Sequence, residues 1–140
     1  EMQRSLVGSE MCIRDRYKAM EENEVRYEAL ACDDADYVLV AYGSSARIAL
    51  KVVEMARADG HRVGLLRPIT LFPFPTEAID GLSRRVKGFL SVEMSTGQMV
   101  EDVMLASRFR VPVHHYGRTG GVVHSPGEVY DALKSNFSLQ

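Results

Sequence analysis

The stretch that decides the fold is Gly88-Phe-Leu-Ser-Val-Glu-Met-Ser-Thr-Gly-Gln-Met-Val-Glu-Asp-Val103. Its first part, Gly88–Val92, is a short apolar run, which predicts a strand buried on both faces. Small and hydroxyl residues at 95–97 interrupt that run and open a predicted helix that continues to about Ser107. An α/β protein builds the working edge of a parallel sheet from such strand–loop–helix units, so this stretch predicts a parallel sheet covered by helices.

Three more strand–helix units predict the rest of the domain. Each strand is a run of apolar residues, and each helix has either an apolar stripe or a recognisable start signal. The predicted strands are Tyr37–Tyr42, Val63–Leu66 and Val111–Tyr116, and the predicted helices are Ala46–Ala58, Thr76 to about Val86, and Ser125 to about Asn136. Right-handed crossovers between these strands give a three-layer α/β domain with a parallel sheet.

Residues in the turns predict where the helices end. Gly60 follows the first helix, at the place where a left-handed C-terminal residue is usual. Thr76 is predicted to be an N-cap, and Ser125 with Pro126 predicts an N-cap followed by a first-turn proline.

Composition restricts the function classes. Of the 140 residues 46% are hydrophobic and 26% charged, as in an ordinary globular domain. The net charge of −2 and the lack of a long apolar run argue against nucleic acid and membranes as partners. Two isolated cysteines, Cys12 and Cys32, suit a reducing, cytoplasmic compartment and cannot hold an iron–sulfur cluster. The neighbours His114 and His115 point to opposite faces of a strand, so we expect no metal site.

The N-terminal residues do not match the pattern of the rest. Met11-Cys-Ile-Arg-Asp-Arg16 looks like the translation of a transposase adapter used in sequencing libraries, so we predict that residues 1–16 are an artefact. The alternative is a genuine tail. The charged segment 17–35 is predicted to be a linker or a short helix, and residues 36–140 are predicted to form the domain. An artefact would also mean that the gene continues upstream.

The carboxyl ends of the four strands are rich in small, hydroxyl and charged residues. Ligands and partners of open parallel sheets meet these ends, which predicts an edge that contacts an anion or another protein. We expect neither a catalytic residue nor a bound cofactor or metal here. The candidate residues of this edge are Ser44, Ser45, Arg67, Thr70, Glu93, Thr96, Arg118 and Thr119.

Several of these residues have a simpler interpretation. Ser44 or Ser45 is predicted to cap the following helix, while Gly43 permits the turn. Glu93 has no histidine or second carboxylate nearby in sequence, which favours a structural or interface role over a general base. Arg118 either binds an anion or pins its loop to another chain. The loop Phe72–Pro75 is predicted to be an interface anchor rather than a cap on the core.

Four phrases follow one another in order within residues 36 to 135. They are Val40-Ala-Tyr-Gly-Ser-Ser-Ala-Arg-Ile48, Gly64-Leu-Leu-Arg-Pro-Ile-Thr-Leu-Phe-Pro-Phe-Pro75, Val92-Glu-Met-Ser-Thr-Gly-Gln-Met-Val-Glu-Asp-Val103 and Tyr116-Gly-Arg-Thr-Gly-Gly-Val-Val123. Together they resemble the C-terminal domain of the alpha subunit of the 2-oxoacid:ferredoxin oxidoreductases. The resemblance is strongest to the 2-oxoisovalerate branch, followed by the 2-oxoglutarate and pyruvate enzymes.

The resemblance implies a transketolase C-terminal-like fold and a supporting role. The family converts a 2-oxoacid and coenzyme A to acyl-CoA and carbon dioxide, using thiamine diphosphate, Mg²⁺ and iron–sulfur clusters to reduce ferredoxin. The implied partners are a missing N-terminal pyrimidine-binding domain, beta, gamma and delta-type subunits, and ferredoxin. The fragment alone would be inactive. Two alternatives remain: a stand-alone anion-binding α/β module, or the same domain of another thiamine enzyme such as transketolase.

Overall fold

The fold is an α/β sandwich with a five-stranded sheet, seen in a computed structural model that describes residues 2–139, with side chains from residue 11 onward. None of the helices within that range is long and apolar enough to cross a bilayer. The elements in chain order are α1 (Met2–Asn23), β1 (Tyr27–Leu30), β2 (Tyr37–Ala41), α2 (Gly43–Ala58), β3 (Val63–Pro68), α3 (Thr76–Ser83), β4 (Gly88–Glu93), α4 (Met99–Ala106), β5 (Val113–Gly117) and α5 (Pro126–Phe137).

The sheet has the strand order β1-β3-β2-β4-β5, and the last four of these strands are parallel. Strand β2 lies at the centre, where Val40 pairs with Leu66 on one side and Ser91 on the other. Its apolar run arises because helices cover both faces of a parallel sheet. The predicted fold class, a three-layer α/β domain, is confirmed, and so are its four parallel strands.

Successive residues of each strand supply two separate cores, because side chains alternate between the faces of a sheet. On one face, Leu39, Leu65 and Leu90 pack with the buried sides of α2 and α5. On the other face, Val38 and Phe89 pack with α3 and α4. The sheet is therefore held between two helical layers.

Strand β1 was not predicted. It runs antiparallel to β3 at the edge of the sheet, with all four of its residues exposed. A strand of four exposed residues that include a charged glutamate is too short to show a period of two, so no sequence pattern indicates it. The segment 17–35, predicted as a linker or short helix, contains the end of α1 and this strand. The sheet thus begins upstream of residue 36.

Helix α1 runs over the residues that we predicted to be an artefact. That prediction concerns the origin of residues 1–16 rather than their conformation, and it stays a prediction. All the side chains described in α1, from Met11 to Asn23, are exposed.

Two predicted helix caps are wrong and two are confirmed. Helix α2 begins at Gly43 after the N-cap residue Tyr42, and no side chain caps it. Helix α3 has Pro75 as its N-cap residue, because Thr76 is already helical. Gly60 has the expected left-handed φ of 89°. Ser125 caps α5 and forms a capping box with Glu128, with Pro126 in the first turn.

Candidate functional site

Glu93 is the centre of the carboxyl edge of the sheet, and it is fully buried. It ends β4, and its carboxylate faces the N-terminus of α4. Five donors surround the two oxygens. Oε1 accepts from the Ser91 hydroxyl and the Val100 N–H, both at 2.8 Å. Oε2 accepts from the Ser95 hydroxyl at 2.8 Å and from the N–H groups of residues 98 and 99 at 3.0 and 2.9 Å.

These hydrogen bonds keep Glu93 ionised inside the protein. Burial acts to raise the pKa of its carboxyl. The N–H of Met99, the hydroxyls of Ser91 and Ser95, and the N–H of Val100 act in the opposite direction, and the pKa is lowered overall. The carboxylate also satisfies N–H groups that the first turn of α4 would otherwise leave without partners. Glu93 is thus a structural anchor whose oxygens are already occupied.

Two histidines lie beside Glu93, although none is near it in sequence. His115 Nε2 is 3.9 Å from Glu93 Oε1, too far for a hydrogen bond, and it is buried without a partner. His124 Nε2 lies 2.8 Å from the Glu93 carbonyl oxygen. Because a carbonyl only accepts, Nε2 carries the proton, and in the neutral ring Nδ1 is a buried acceptor without a partner. Sequence spacing could not show these contacts, since both histidines come from β5 and the loop that follows it.

Gly117 makes room for the His115 ring. A Cβ on Gly117 would lie 2.5 Å from the His115 ring and 2.3 Å from the Ser95 carbonyl oxygen. A Cβ on Gly97, whose φ is 112°, would lie at an ordinary contact distance of 3.6 Å from the same ring. The phrases that contain these two glycines therefore pack against each other.

A cleft of about 450 Å³ lies beside His115, between the ends of β4 and β5. Two of the predicted edge residues, Thr96 and Thr119, are exposed there. Arg118 also lines the cleft, and its guanidinium contacts Glu128 on α5. The full lining is Ser95, Thr96, His115, Gly117, Arg118, Thr119 and Val122. The structure thus brings Glu93, Thr96, Arg118 and Thr119 together.

The other predicted edge residues lie apart from the cleft. Ser44 is exposed and its hydroxyl is 3.1 Å from the Met94 sulfur, beside the end of β4. Ser45 is buried in the first turn of α2. Arg67 pairs with Glu28 across β1 and β3 at 3.1 Å.

Thr70 connects two segments at the β1 side of the sheet. Its hydroxyl accepts from the Arg26 N–H at 3.0 Å and donates to the Pro73 carbonyl at 2.9 Å. The peptide bond between Phe72 and Pro73 is cis, and Phe72 is more than half exposed. Thr70 thus holds the loop that presents Phe72.

Large apolar side chains are exposed along the loops at the carboxyl edge. A side chain of this kind in water contributes nothing to the core, and several together mark a surface that contacts another protein. They are Ile69, Leu71 and Phe72 after β3, Met94 after β4, and Val122 and Val123 after β5.

A comparison with known protein families shows the family of this chain. Residues 35–129 match the family described as pyruvate:ferredoxin oxidoreductase core domain II. The chain belongs to this family.

Curated relatives of this oxidoreductase family include subunits of several enzymes. The chain is 56% identical over 109 residues, 78% of its length, to the ketoisovalerate oxidoreductase subunit VorB of Methanothermobacter marburgensis. It is 54% identical over 122 residues to the same subunit of Methanothermobacter thermautotrophicus. It is 33% identical over 101 residues to the 2-oxoglutarate synthase subunit KorA of M. marburgensis. The chain spans about a third or less of each relative, 31%, 34% and 27% respectively.

Solved structures share the fold at low sequence identity. A 2-oxoglutarate:ferredoxin oxidoreductase from Magnetococcus marinus superposes with a TM-score of 0.73 at 18% identity, covering 92% of this chain and 23% of that one. A split-gene transketolase, an inactive beta4 tetramer, superposes with a TM-score of 0.68 at 18% identity, covering 81% of this chain and 42% of that one.

The iron–sulfur clusters that this oxidoreductase family implies do not fit the side chains described for this chain. Among residues 11–139 no three His, Cys, Asp or Glu side chains lie together as a metal site would require. An iron–sulfur cluster needs four ligands, mostly thiolates. Cys32 is buried and burial raises the pKa of its thiol, with its sulfur 3.4 Å from the Leu65 carbonyl oxygen. The described side chains therefore cannot by themselves ligate an iron–sulfur cluster.

Proposed function

We propose that this chain is the C-terminal structural domain of the alpha-type subunit of a cytoplasmic, thiamine-diphosphate-dependent 2-oxoacid:ferredoxin oxidoreductase. The parent enzyme converts a 2-oxoacid and coenzyme A to acyl-CoA and carbon dioxide, and passes the two electrons to ferredoxin. Its substrate is 2-oxoisovalerate. The observation that carries this proposal is the 54–56% identity to two ketoisovalerate oxidoreductase subunits, against 33% to a 2-oxoglutarate synthase subunit.

The carboxyl edge is the interface between this domain and the rest of the enzyme. Support comes from the exposed apolar residues around that edge, such as Phe72 and Val123, and from the exposed polar residues Ser44, Thr96 and Thr119 beside them. Apolar and polar groups mixed in this way are typical of surfaces that become buried when two proteins associate.

The remaining domains and subunits hold the cofactors. The parent complex carries thiamine diphosphate, Mg²⁺ and iron–sulfur clusters, bound by a pyrimidine-binding domain of the same subunit and by beta, gamma and delta-type subunits. The chain contributes no side chain to the chemistry. Its role is to fix the position of the domain that binds thiamine diphosphate, because misplacing reacting groups by about 1 Å costs about a hundredfold in rate.

A chimeric enzyme tests this role. In the M. marburgensis VorB subunit, the 109 matching residues are replaced by the corresponding part of this chain, and the complex is assembled with its own partner subunits. We expect reduction of methyl viologen that depends on 2-oxoisovalerate and coenzyme A, within about tenfold of the parent. A folded, assembled chimera without this activity would contradict the proposal.

The substrate needs a separate measurement on the complete enzyme that contains this chain. We expect kcat/KM for 2-oxoisovalerate to exceed that for 2-oxoglutarate at least about tenfold, because a pocket for a branched aliphatic group disfavours a carboxylate. The reverse preference would contradict the assignment of 2-oxoisovalerate and leave the domain's role intact.

A second candidate, a stand-alone anion-binding module, is favoured by one observation. The cleft beside Arg118 has hydroxyls, a guanidinium and a histidine around about 450 Å³ of space. If the chain is only a structural domain, thiamine diphosphate, coenzyme A and phosphate should not change the melting temperature of the isolated chain. A saturable shift with any of them favours the module. The transketolase alternative rests on the shared fold alone, and the family match argues against it.

A further inference from the structure

A patch of arginines around one aspartate lies at the opposite, amino edge of the sheet. Asp80 on α3 accepts a hydrogen bond from Arg84 Nη2 at 2.9 Å. It also forms ion pairs with Arg108, whose Nε lies 3.0 Å from Oδ1, and with Arg110, which completes the ring. Arg110 also donates to the Ser83 hydroxyl at 2.9 Å. We call Arg84, Leu105, Arg108, Phe109 and Arg110, with Asp80 at their centre, the arginine patch.

The arginine patch carries a surplus of positive charge. Among residues 11–139, Asp80 is the carboxylate that pairs with these three arginines, which leaves two positive charges without a counter-charge. The Arg110 and Arg84 guanidinium groups hold the pKa of Asp80 at about 2, so it stays ionised and keeps the arginines in place. Arg84 and Arg108 remain 62% and 70% exposed. Their outer N–H groups are free to meet a second set of acidic groups.

Two exposed apolar side chains accompany this charge. Phe109 and Leu105 are 68% and 66% exposed, more than any other large apolar residue described in the chain. Aromatic residues and arginine are the types enriched in protein–protein interfaces. A patch that combines them has the composition of a docking surface rather than of a solvated face.

Arg108 and Phe109 follow the end of α4 in a backbone conformation that is unfavourable for residues other than glycine. Helix α4 ends in a Schellman motif, in which the Arg108 N–H donates to the Leu105 carbonyl and the Phe109 N–H donates to the Met104 carbonyl. Arg108 occupies the left-handed position where glycine is usual, with a φ of 53°, and Phe109 has the same φ. Ending a helix does not require arginine there, and non-glycine residues in this conformation cluster at functional positions.

We propose that the arginine patch docks an acidic protein surface whose carboxylates flank an apolar socket for Phe109. Charge complementarity selects this partner, because two surplus guanidinium groups face outward beside an exposed ring. A nucleic acid is disfavoured, because the chain carries a net charge of −2 and the patch has one carboxylate at its centre and one aromatic ring. This inference uses only the amino edge of the fold, and it does not depend on the proposed function.

The test measures binding of a fluorescein-labelled peptide, Glu-Glu-Leu-Glu-Glu-Phe-Glu-Glu, to the 140-residue chain by fluorescence anisotropy at low salt. We expect saturable binding with a Kd below about 1 mM, weakened severalfold when salt rises tenfold. A matched peptide with lysine in place of glutamate should not bind. Absence of saturable binding, or equal binding of the lysine peptide, would overturn the proposal.

Three variants separate docking from folding. Arg108→Gly relieves the left-handed backbone, so it should keep or raise the melting temperature while weakening peptide binding at least about fivefold. Arg84→Gln should weaken binding by a similar factor. The control Arg47→Gln removes an exposed charge from α2 and should leave binding within about twofold. Equal effects of Arg47→Gln and Arg84→Gln would overturn the proposal, as would unchanged binding by a folded Arg108→Gly chain.

Two other occupants give distinct results. If polyuridylate bound to the chain more tightly than the acidic peptide, and Arg84→Gln abolished the binding of polyuridylate, the arginine patch would be a nucleic-acid site. The proposal would then be wrong. If sedimentation velocity showed a dimer that Phe109→Ser dissociates, the occupant would be a second copy of this chain and the proposal would be wrong.

Discussion

Replacing Glu93 with glutamine should destabilise the chain strongly, although the two side chains have almost the same shape. In the native protein both carboxylate oxygens only accept hydrogen bonds, and the group is fully buried. Glutamine has one accepting oxygen and one donating NH₂ group. The NH₂ group of glutamine must therefore face N–H or O–H groups that also donate.

The expected loss follows from the contacts. The NH₂ group is tolerated best at the position of Oε1, where the Ser91 hydroxyl can turn to accept, but the Val100 N–H then loses its partner. A buried N–H without a partner costs about 1–3 kcal/mol, and each N–H that still donates to the neutral oxygen loses about 1 kcal/mol of charge assistance. Two such N–H groups remain on the other oxygen. The sum is about 3–5 kcal/mol, or about 10 °C or more in melting temperature for a chain of this size.

Urea unfolding followed by circular dichroism at pH 7 measures this loss. Glu54→Gln is the control, because Glu54 pairs with Lys51 at 2.8 Å on the surface and its loss should cost less than about 1 kcal/mol. The account is refuted if Glu93→Gln unfolds within about 0.5 kcal/mol of the parent chain, which is the range of ordinary surface substitutions.

The pH dependence gives an independent check on the same residue. The pKa of Glu93 is lowered in the folded protein from its ordinary value of 4.5, so its carboxylate stabilises the fold fully above that value. This stabilisation is lost as the pH falls through the lower pKa of the folded state. The gap in unfolding free energy between the parent chain and Glu93→Gln should therefore narrow below about pH 4.5. A gap that stays constant down to pH 3 would show that hydrogen bonding to the carboxylate is not its cause.

Three further predictions test other parts of the structure. Gly117→Ala should destabilise the chain by several kcal/mol in urea unfolding, because the new Cβ would lie 2.3 Å from the Ser95 carbonyl oxygen. Its control is Gly127→Ala in helix α5, where the new Cβ would have no atom within 4 Å, so the change should be neutral or slightly stabilising. Ser125→Ala should cost about 1 kcal/mol in the same assay, because it removes the capping box of α5, and an unchanged midpoint would contradict that role. Burial, followed by a hydrogen bond to a neighbouring carboxylate, raises the pKa of Tyr130 to about 12, so absorbance at 295 nm should show a late-ionising phenol that Tyr130→Phe removes.

The sheet was predictable because burial on both faces leaves a direct mark on the sequence. The runs Tyr37–Ala41 and Gly88–Val92 are almost entirely apolar, which is typical of a strand between two helical layers. Strand β1, Tyr27–Leu30, left no such mark, since it lies exposed at the edge and is held by backbone pairing to β3.

The place of the candidate site was predictable, but the roles of its residues were not. The strand-end rule located Glu93, Thr96 and Arg118 at one edge. That Glu93 is an anchor depends on where α4 begins, because three of its five donors are N–H groups at the start of that helix. His115 comes from another strand, and its position beside Glu93 is a tertiary contact that local patterns do not encode.

The accessibility of Val123 tests most directly whether the carboxyl edge is the interface with the rest of a 2-oxoacid oxidoreductase. Val123→Cys, in a chain with Cys12→Ser, is labelled with a thiol reagent in the isolated chain and in the assembled chimeric complex. Leu50→Cys on α2 is the control, since both native side chains are well exposed. The account predicts that labelling at position 123 slows at least about tenfold in the complex, while labelling at position 50 does not change. Equal labelling of position 123 in the two forms would contradict it.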